Sequence, residues 1–297
     1  MTAEPAVRQV HLDLPAGRAA ALVWGPDDGP LALLLHGFPD SPWTWRKVAP
    51  ALADQGWRVV APWTRGYAPS FVPADRDYHV GALMADAVAM HRALGGGADS
   101  VLVGHDWGAL TANALGAHPD SPFAAIVSMA VPPLGAVRPR LHPAPLLGQV
   151  RRSWYIGFNQ LPVVAERSLS RLVPRLWRDW SPGYEATEDV RHAMAAIDGR
   201  ESDVLGYYRA MARPFPAPSP PYRGWHRTWR STPMVPTLYL HGEQDGCLSP
   251  SFAEGLEPRL PLGSAAALVP GAGHFLQLEQ PEVVAEHVLQ FLGGDRS

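Results

Sequence analysis

The chain has 297 residues, an apolar fraction of 46%, a net charge of −3 and a single cysteine, Cys247. Such a length and composition suit one large globular domain or a core with an insertion, and the weak negative charge gives no reason to expect nucleic acid or an anionic membrane as partner. The lone cysteine excludes an intrachain disulfide and fits a reducing compartment, no Cys/His cluster suggests zinc, and neither a bilayer-spanning run nor a signal peptide is legible at Met1-Thr2-Ala3-Glu4-Pro5, so a cytoplasmic location without membrane insertion is expected.

Residues 8–14 and 19–24 read as short strands around the turn at Pro15-Ala16-Gly17. Leu31-Ala32-Leu33-Leu34-Leu35 follows, continuously apolar as a strand buried on both faces should be. It ends in His36-Gly37-Phe38-Pro39, which can present the Phe38 backbone N–H to a neighbouring turn and which, taken alone, is also an ordinary Gly/Pro turn. A helix over 45–54, a strand over 57–61, a loop with Arg65-Gly66-Tyr67 and a helix over 81–94 come next.

Val101-Leu102-Val103 then runs into Gly104-His105-Asp106-Trp107-Gly108, with a helix over 109–117 beyond. An apolar strand passing through Gly-x-nucleophile-x-Gly into a helix is a nucleophile elbow. Here the middle residue is aspartate, whose carboxylate is ionised near neutral pH and needs no base to become nucleophilic. Attack on an sp3 carbon bearing a leaving group would give a hydrolysable ester of Asp106; attack on an ester or amide would give a reactive anhydride, which argues against an ordinary esterase or peptidase. Aspartate is also a preferred helix N-cap, the competing role for this residue.

A strand over 124–131 completes an alternation of strands and helices that predicts an open, mostly parallel sheet with helices on both faces, ligands binding beyond the strands' carboxyl ends. Pro132-Pro133 breaks the pattern. Residues 134–225 offer no convincing strand, only helices over 146–159, 163–177, 190–196 and 202–211 and a proline-dense exit over 214–221, so they read as a helical lid between two core portions, 1–133 and 226–297. The core resumes with a strand over 237–240 leading to Asp245, a helix over 251–256, a strand over 265–269 leading to Gly273-His274, and a helix over 281–292.

Asp106, Asp245 and His274 thus follow three predicted strands in the order nucleophile, acid, histidine. Asp245 would fix the His274 tautomer and leave the other ring nitrogen to take a proton from water, for which His274 must be neutral. Glu243 is the rival acid and is expected to face away.

These residues resemble the α/β-hydrolase fold, and within it the epoxide hydrolase family, over nearly the whole chain. The resemblance rests on His36-Gly37-Phe38-Pro39, the Asp106 elbow, Arg65-Gly66-Tyr67, Asp245 and Gly273-His274-Phe275. It implies an eight-stranded sheet with a cap domain, a cofactor-independent conversion of a small apolar epoxide to a vicinal diol, no metal, and a monomer or homodimer. It also implies two lid tyrosines that hold the epoxide oxygen, Tyr155 in Trp154-Tyr155-Ile156-Gly157-Phe158 and Tyr208 in Tyr207-Tyr208-Arg209, although Tyr207 is an adjacent alternative and either ring could be mere packing. The oxyanion hole falls to the Phe38 and Trp107 N–H groups, and substrate contacts to Phe38, Trp107, Tyr155, Tyr208 and Phe275. Haloalkane dehalogenases share the aspartate and following tryptophan, but their halide-binding asparagine is replaced here by Phe38, which has no side-chain donor. Fluoroacetate dehalogenases carry arginines where Trp107 and Leu110 stand. A non-catalytic ligand-binding member of the fold is the remaining alternative.

Overall fold

The continuous apolar runs become the centre of one sheet. The computed structural model describes residues 7–137, 143–213 and 215–293, so Met1–Pro5 and Pro214, on which the sequence reading drew, lie outside the described residues. The strands are β1 (Arg8–Leu14), β2 (Gly17–Trp24), β3 (Leu31–Leu35), β4 (Arg58–Pro62), β5 (Val101–His105), β6 (Ala125–Met129), β7 (Thr237–Gly242) and β8 (Ala265–Val269). They form one eight-stranded sheet in the order β1-β2-β4-β3-β5-β6-β7-β8. Only the β1–β2 and β2–β4 pairs are antiparallel. Every residue of β3 and β5 is buried, as a strand covered on both faces requires.

The helices of the first core portion are α1 (Ala49–Asp54), α2 (Val80–Ala93) and α3 (Trp107–Gly116). Between β6 and β7 the described residues form α4 (Pro143–Arg152), α5 (Trp154–Phe158), α6 (Val164–Trp180), α7 (Thr187–Ile197), α8 (Glu201–Ala212) and α9 (Arg223–His226), and no strand. The chain closes with α10 (Leu276–Glu279) and α11 (Pro281–Gly293). The longest of these, α6, buries Ala165, Leu169, Leu172, Val173, Leu176, Trp177 and Trp180, a helical stripe that carries it onto the core. No helix among the described residues is long and apolar enough to cross a membrane.

Three helices differ from the sequence reading, each for a local reason. The helix expected over 45–54 is a 3-10 turn, Pro42–Trp45, followed by α1, because Pro50 lacks an N–H and fits only a first turn. The one over 146–159 is divided between α4 and α5 at Ser153. The helix expected over 251–256 is replaced by a 3-10 turn, Pro250–Ala253, which ends before Gly255 at φ +60°, and a second one follows at Glu257–Arg259.

The site is placed by a reversal in strand order. After β3 the chain moves to one side to make β4, and β5 returns on the other, so a crevice opens beyond the carboxyl ends of β3 and β5. His36 and Phe38 leave β3 there, and Asp106 leaves β5.

Candidate active site

Asp106 joins β5 to α3 in a tight turn, at φ 51° and ψ −112°. A non-glycine residue held there stores strain of about 1–3 kcal/mol, which the surrounding structure must over-determine. The flanking glycines make the turn feasible: a Cβ on Gly104 would collide with the Gly108 carbonyl, and one on Gly108 with the Leu35 carbonyl of β3. Asp106 makes no side-chain cap bond to α3, so the N-cap role is not the one it fills. Its Oδ1 instead accepts the Phe38 backbone N–H at 2.8 Å. The Trp107 N–H is the first of α3, one of the donors that a helix leaves without an internal partner.

His274 is fully buried on the loop after β8. Its Nδ1 lies 2.9 Å from Asp245 Oδ2, and Asp245 Oδ1 accepts the backbone N–H groups of Cys247 and Leu248 at 2.6 and 2.9 Å. Both Asp245 oxygens are therefore engaged, even though Asp245, Cys247 and His274 bring potential metal donors within 4.8 Å of one another. Glu243 is exposed. The free ring nitrogen, Nε2, lies 3.8 Å from Asp106 Oδ2, too far for a hydrogen bond but close enough for charge attraction, and it has no hydrogen-bond partner among the described residues.

Burial works against a charge on His274, but the Asp245 and Asp106 carboxylates outweigh it and push its pKa up to about 10. Burial likewise works to raise Asp245, and the His274 charge and hydrogen bond hold it below the usual carboxylate value. With Asp245 and Asp106 on either side, the charged form of the ring is favoured before reaction, and the neutral form that base catalysis requires has to be released during it. Two other histidines here are neutral: burial takes His36 down to about 4, and burial followed by the His274 charge takes His105 down to about 3. His36 accepts the Thr64 N–H and donates to the Gly37 carbonyl, bracing the turn that carries Phe38. His105 donates to the His274 carbonyl at 2.9 Å.

Four aromatic residues close over Asp106. The Tyr208 ring lies edge-on to Phe38, Trp107 and Tyr155, with centroids 5.1, 5.3 and 5.5 Å away. The neighbouring tyrosines differ in what their hydroxyls do. Tyr207 donates to the Arg65 carbonyl at 2.7 Å, whereas the Tyr208 hydroxyl is buried with no hydrogen-bond partner among the described residues. The Tyr155 hydroxyl lies 3.5 Å from Cys247 Sγ. Burial, with nearby negative groups, holds the Tyr155 and Tyr208 phenols well above the ordinary tyrosine value, so both keep their protons. Phe275 stands apart from this cluster, stacked on Trp177 at 3.4 Å. A surface groove with a mixed lining, Met211, Pro218 and Trp229 beside His79, His226 and Arg230, reaches the Trp107 and Tyr207 side chains.

The end of α6 is the part that sequence reasoning missed. The Trp180 carbonyl accepts the N–H groups of His274 and Gly246 at 3.1 and 3.0 Å, so one residue braces both the histidine and acid loops. Ser181 Oγ accepts the Phe275 N–H and donates to Glu279, which in turn accepts the Gly273 N–H. Most of these contacts are made through backbone atoms, and no residue pattern announces them.

The sequence profile of the alpha/beta hydrolase fold family matches residues 30–281. Epoxide hydrolase A of Mycobacterium tuberculosis is 31% identical, the match covering 91% of this chain and 92% of that protein. Among solved structures, epoxide hydrolase A from Mycobacterium thermoresistibile superposes with a TM-score of 0.73 at 26% identity over 98% of each chain. A loop variant of a haloalkane dehalogenase from Bradyrhizobium elkanii reaches 0.74 at 21% identity over 97% of each, a likeness of fold alone. With its strained Asp106 turn at the sheet's switch point and these relatives spanning almost its entire length, the chain belongs to the α/β-hydrolase fold family, among its epoxide hydrolases.

Proposed function

We propose that this hydrolase converts an epoxide to a vicinal diol through a covalent ester on Asp106, with residues 134–225 as the lid. The observation that carries this reading is the His274 Nε2 held 3.8 Å from Asp106, beneath a Tyr208 ring that packs on Phe38 and Trp107 and whose buried hydroxyl is unpartnered among the described residues.

In the first step an Asp106 oxygen attacks one epoxide carbon and the C–O bond of the ring breaks. The leaving oxygen, still attached to the substrate, takes the proton of Tyr208 or Tyr155, the kind of donation that a buried phenol can make to a strongly basic alkoxide. The tyrosinate recovers its proton through solvent from the His274 imidazolium. Ester formation removes the Asp106 charge, one of the two that kept His274 protonated, so the imidazole is released for base catalysis when it is needed.

In the second step neutral His274 takes a proton from water and the hydroxide adds to the Asp106 carboxyl carbon. The Phe38 and Trp107 N–H groups stabilise the oxyanion. The tetrahedral species collapses, the departing alkoxide takes the proton of the added hydroxyl and leaves as the diol, Asp106 is again a carboxylate, and His274 keeps the proton it took from water. No cofactor enters either step. The aromatic rings of Phe38, Trp107, Tyr155 and Tyr208 around Asp106 favour apolar substrates.

Assaying styrene oxide alongside bromoalkanes of similar size tests the reaction class. Diol formation without appreciable bromide release is the expected result. Bromide release without diol would transfer the chain to dehalogenation, for which Trp107 offers an indole donor but Phe38 no side-chain donor, and binding without turnover of either would mark a non-catalytic member of the fold.

A further inference from the structure

One buried side chain takes no part in the steps above, although it touches a group that does. Cys247 is 2% exposed and lies two residues beyond Asp245. Its backbone is fixed at both ends: the N–H donates to Asp245 Oδ1 at 2.6 Å, and the carbonyl accepts from the Gln149 side chain of α4 at 2.8 Å. The Sγ that this fixed backbone presents lies 3.5 Å from the Tyr155 hydroxyl. Tyr155 is otherwise enclosed by rings, Trp180 at 5.0 Å and Tyr208 at 5.5 Å. Beside it the Tyr208 hydroxyl is buried and unpartnered, as a group awaiting a ligand oxygen would be.

We propose that Cys247 is a positioning residue for the ring-opening step, its sulfur holding the Tyr155 hydroxyl where it can meet the same epoxide oxygen as Tyr208. The inference rests on the proposed function and adds a residue to it. A thiol is a weak hydrogen-bond partner. It can therefore fix a phenol that has only two rotatable side-chain torsions and still yield when a developing alkoxide, a far stronger acceptor, arrives. Tyr207 illustrates the opposite case, its hydroxyl committed to a backbone carbonyl at 2.7 Å. Cys247 itself is not a nucleophile: burial, followed by the Asp245 and Asp106 charges, keeps its thiol protonated.

The test follows ester formation and ester hydrolysis separately, by intact mass in quenched single turnovers of styrene oxide with excess full-length enzyme. Cys247→Ala should slow ester formation about three- to tenfold, the range of one modest hydrogen bond, and leave ester hydrolysis unchanged. Cys247→Ser, which keeps a hydrogen-bonding group, should recover at least half of the lost rate. In a Tyr155→Phe background the alanine substitution should add nothing. If Cys247→Ala fails to fold, Cys247→Val removes the sulfur contact in a packed side chain and should show the same loss. Unchanged ester formation in a folded alanine or valine variant overturns the inference, as does an equal loss in both steps or a loss that persists with Tyr155→Phe. Absence of any ester in the wild-type enzyme would instead overturn the proposed reaction itself.

Discussion

Glutamine in place of His274 is expected to stop the enzyme after one equivalent of epoxide, with the protein heavier by the mass of the substrate. Ring opening needs the Asp106 carboxylate and the lid phenols, neither of which glutamine disturbs, and its amide can still donate to Asp245 as Nδ1 now does at 2.9 Å. Ester hydrolysis needs a group that accepts a proton from water, which an amide cannot do. Steady-state turnover should fall by about 10²–10⁴-fold, the usual contribution of a general base, while the ester accumulates. The pH dependence follows from the charges around the ring. With Asp106 ionised, His274 stays protonated up to about pH 10. In the ester that support is gone and its pKa is lower, so wild-type ester hydrolysis should rise with pH through this lower value and then level off. Ester formation should show no such limb. Intact-mass kinetics of both steps from pH 5 to 10 check this; an ester that never accumulates in the glutamine variant would count against the role of His274.

Phenylalanine at position 208 is expected to slow ester formation by about 10²–10⁴-fold, and phenylalanine at position 207 to change it little. The two residues are neighbours on α8, yet their hydroxyls are committed differently. Tyr207 spends its proton on the Arg65 carbonyl, so its loss should appear as about 1 kcal/mol of stability rather than as rate. Tyr208 has no such partner and its ring lies against Phe38, whose N–H binds the Asp106 carboxylate. Single-turnover rates beside denaturation midpoints separate the two effects. A Tyr207→Phe variant slow in ester formation, beside a Tyr208→Phe variant that is not, would exchange their roles.

Much of the sheet was legible because its central strands are buried on both faces and so carry unbroken apolar runs, Leu31–Leu35 above all. The Asp106 turn was legible because two close backbone approaches leave room only for Gly104 and Gly108. What stayed hidden depended on three-dimensional neighbours. Sequence could not say which of Tyr207 and Tyr208 had a free hydroxyl, since the answer lies in the position of the Arg65 carbonyl. Nor could it give the charge of His274, which is set by two carboxylates from other loops. The bracing of two loops by the Trp180 carbonyl is invisible for a simpler reason: every residue has a carbonyl.

The most direct test of the central claim is a single turnover of a styrene-oxide-like substrate, with enzyme in excess, in heavy-oxygen water, followed by location of the label. If Asp106 is the nucleophile, the oxygen delivered to the first diol comes from its carboxylate: that diol is unlabelled and the heavy oxygen is found in Asp106. Heavy oxygen in the first-turnover diol, with Asp106 unlabelled, would mean that water attacks the epoxide directly and would contradict the covalent route.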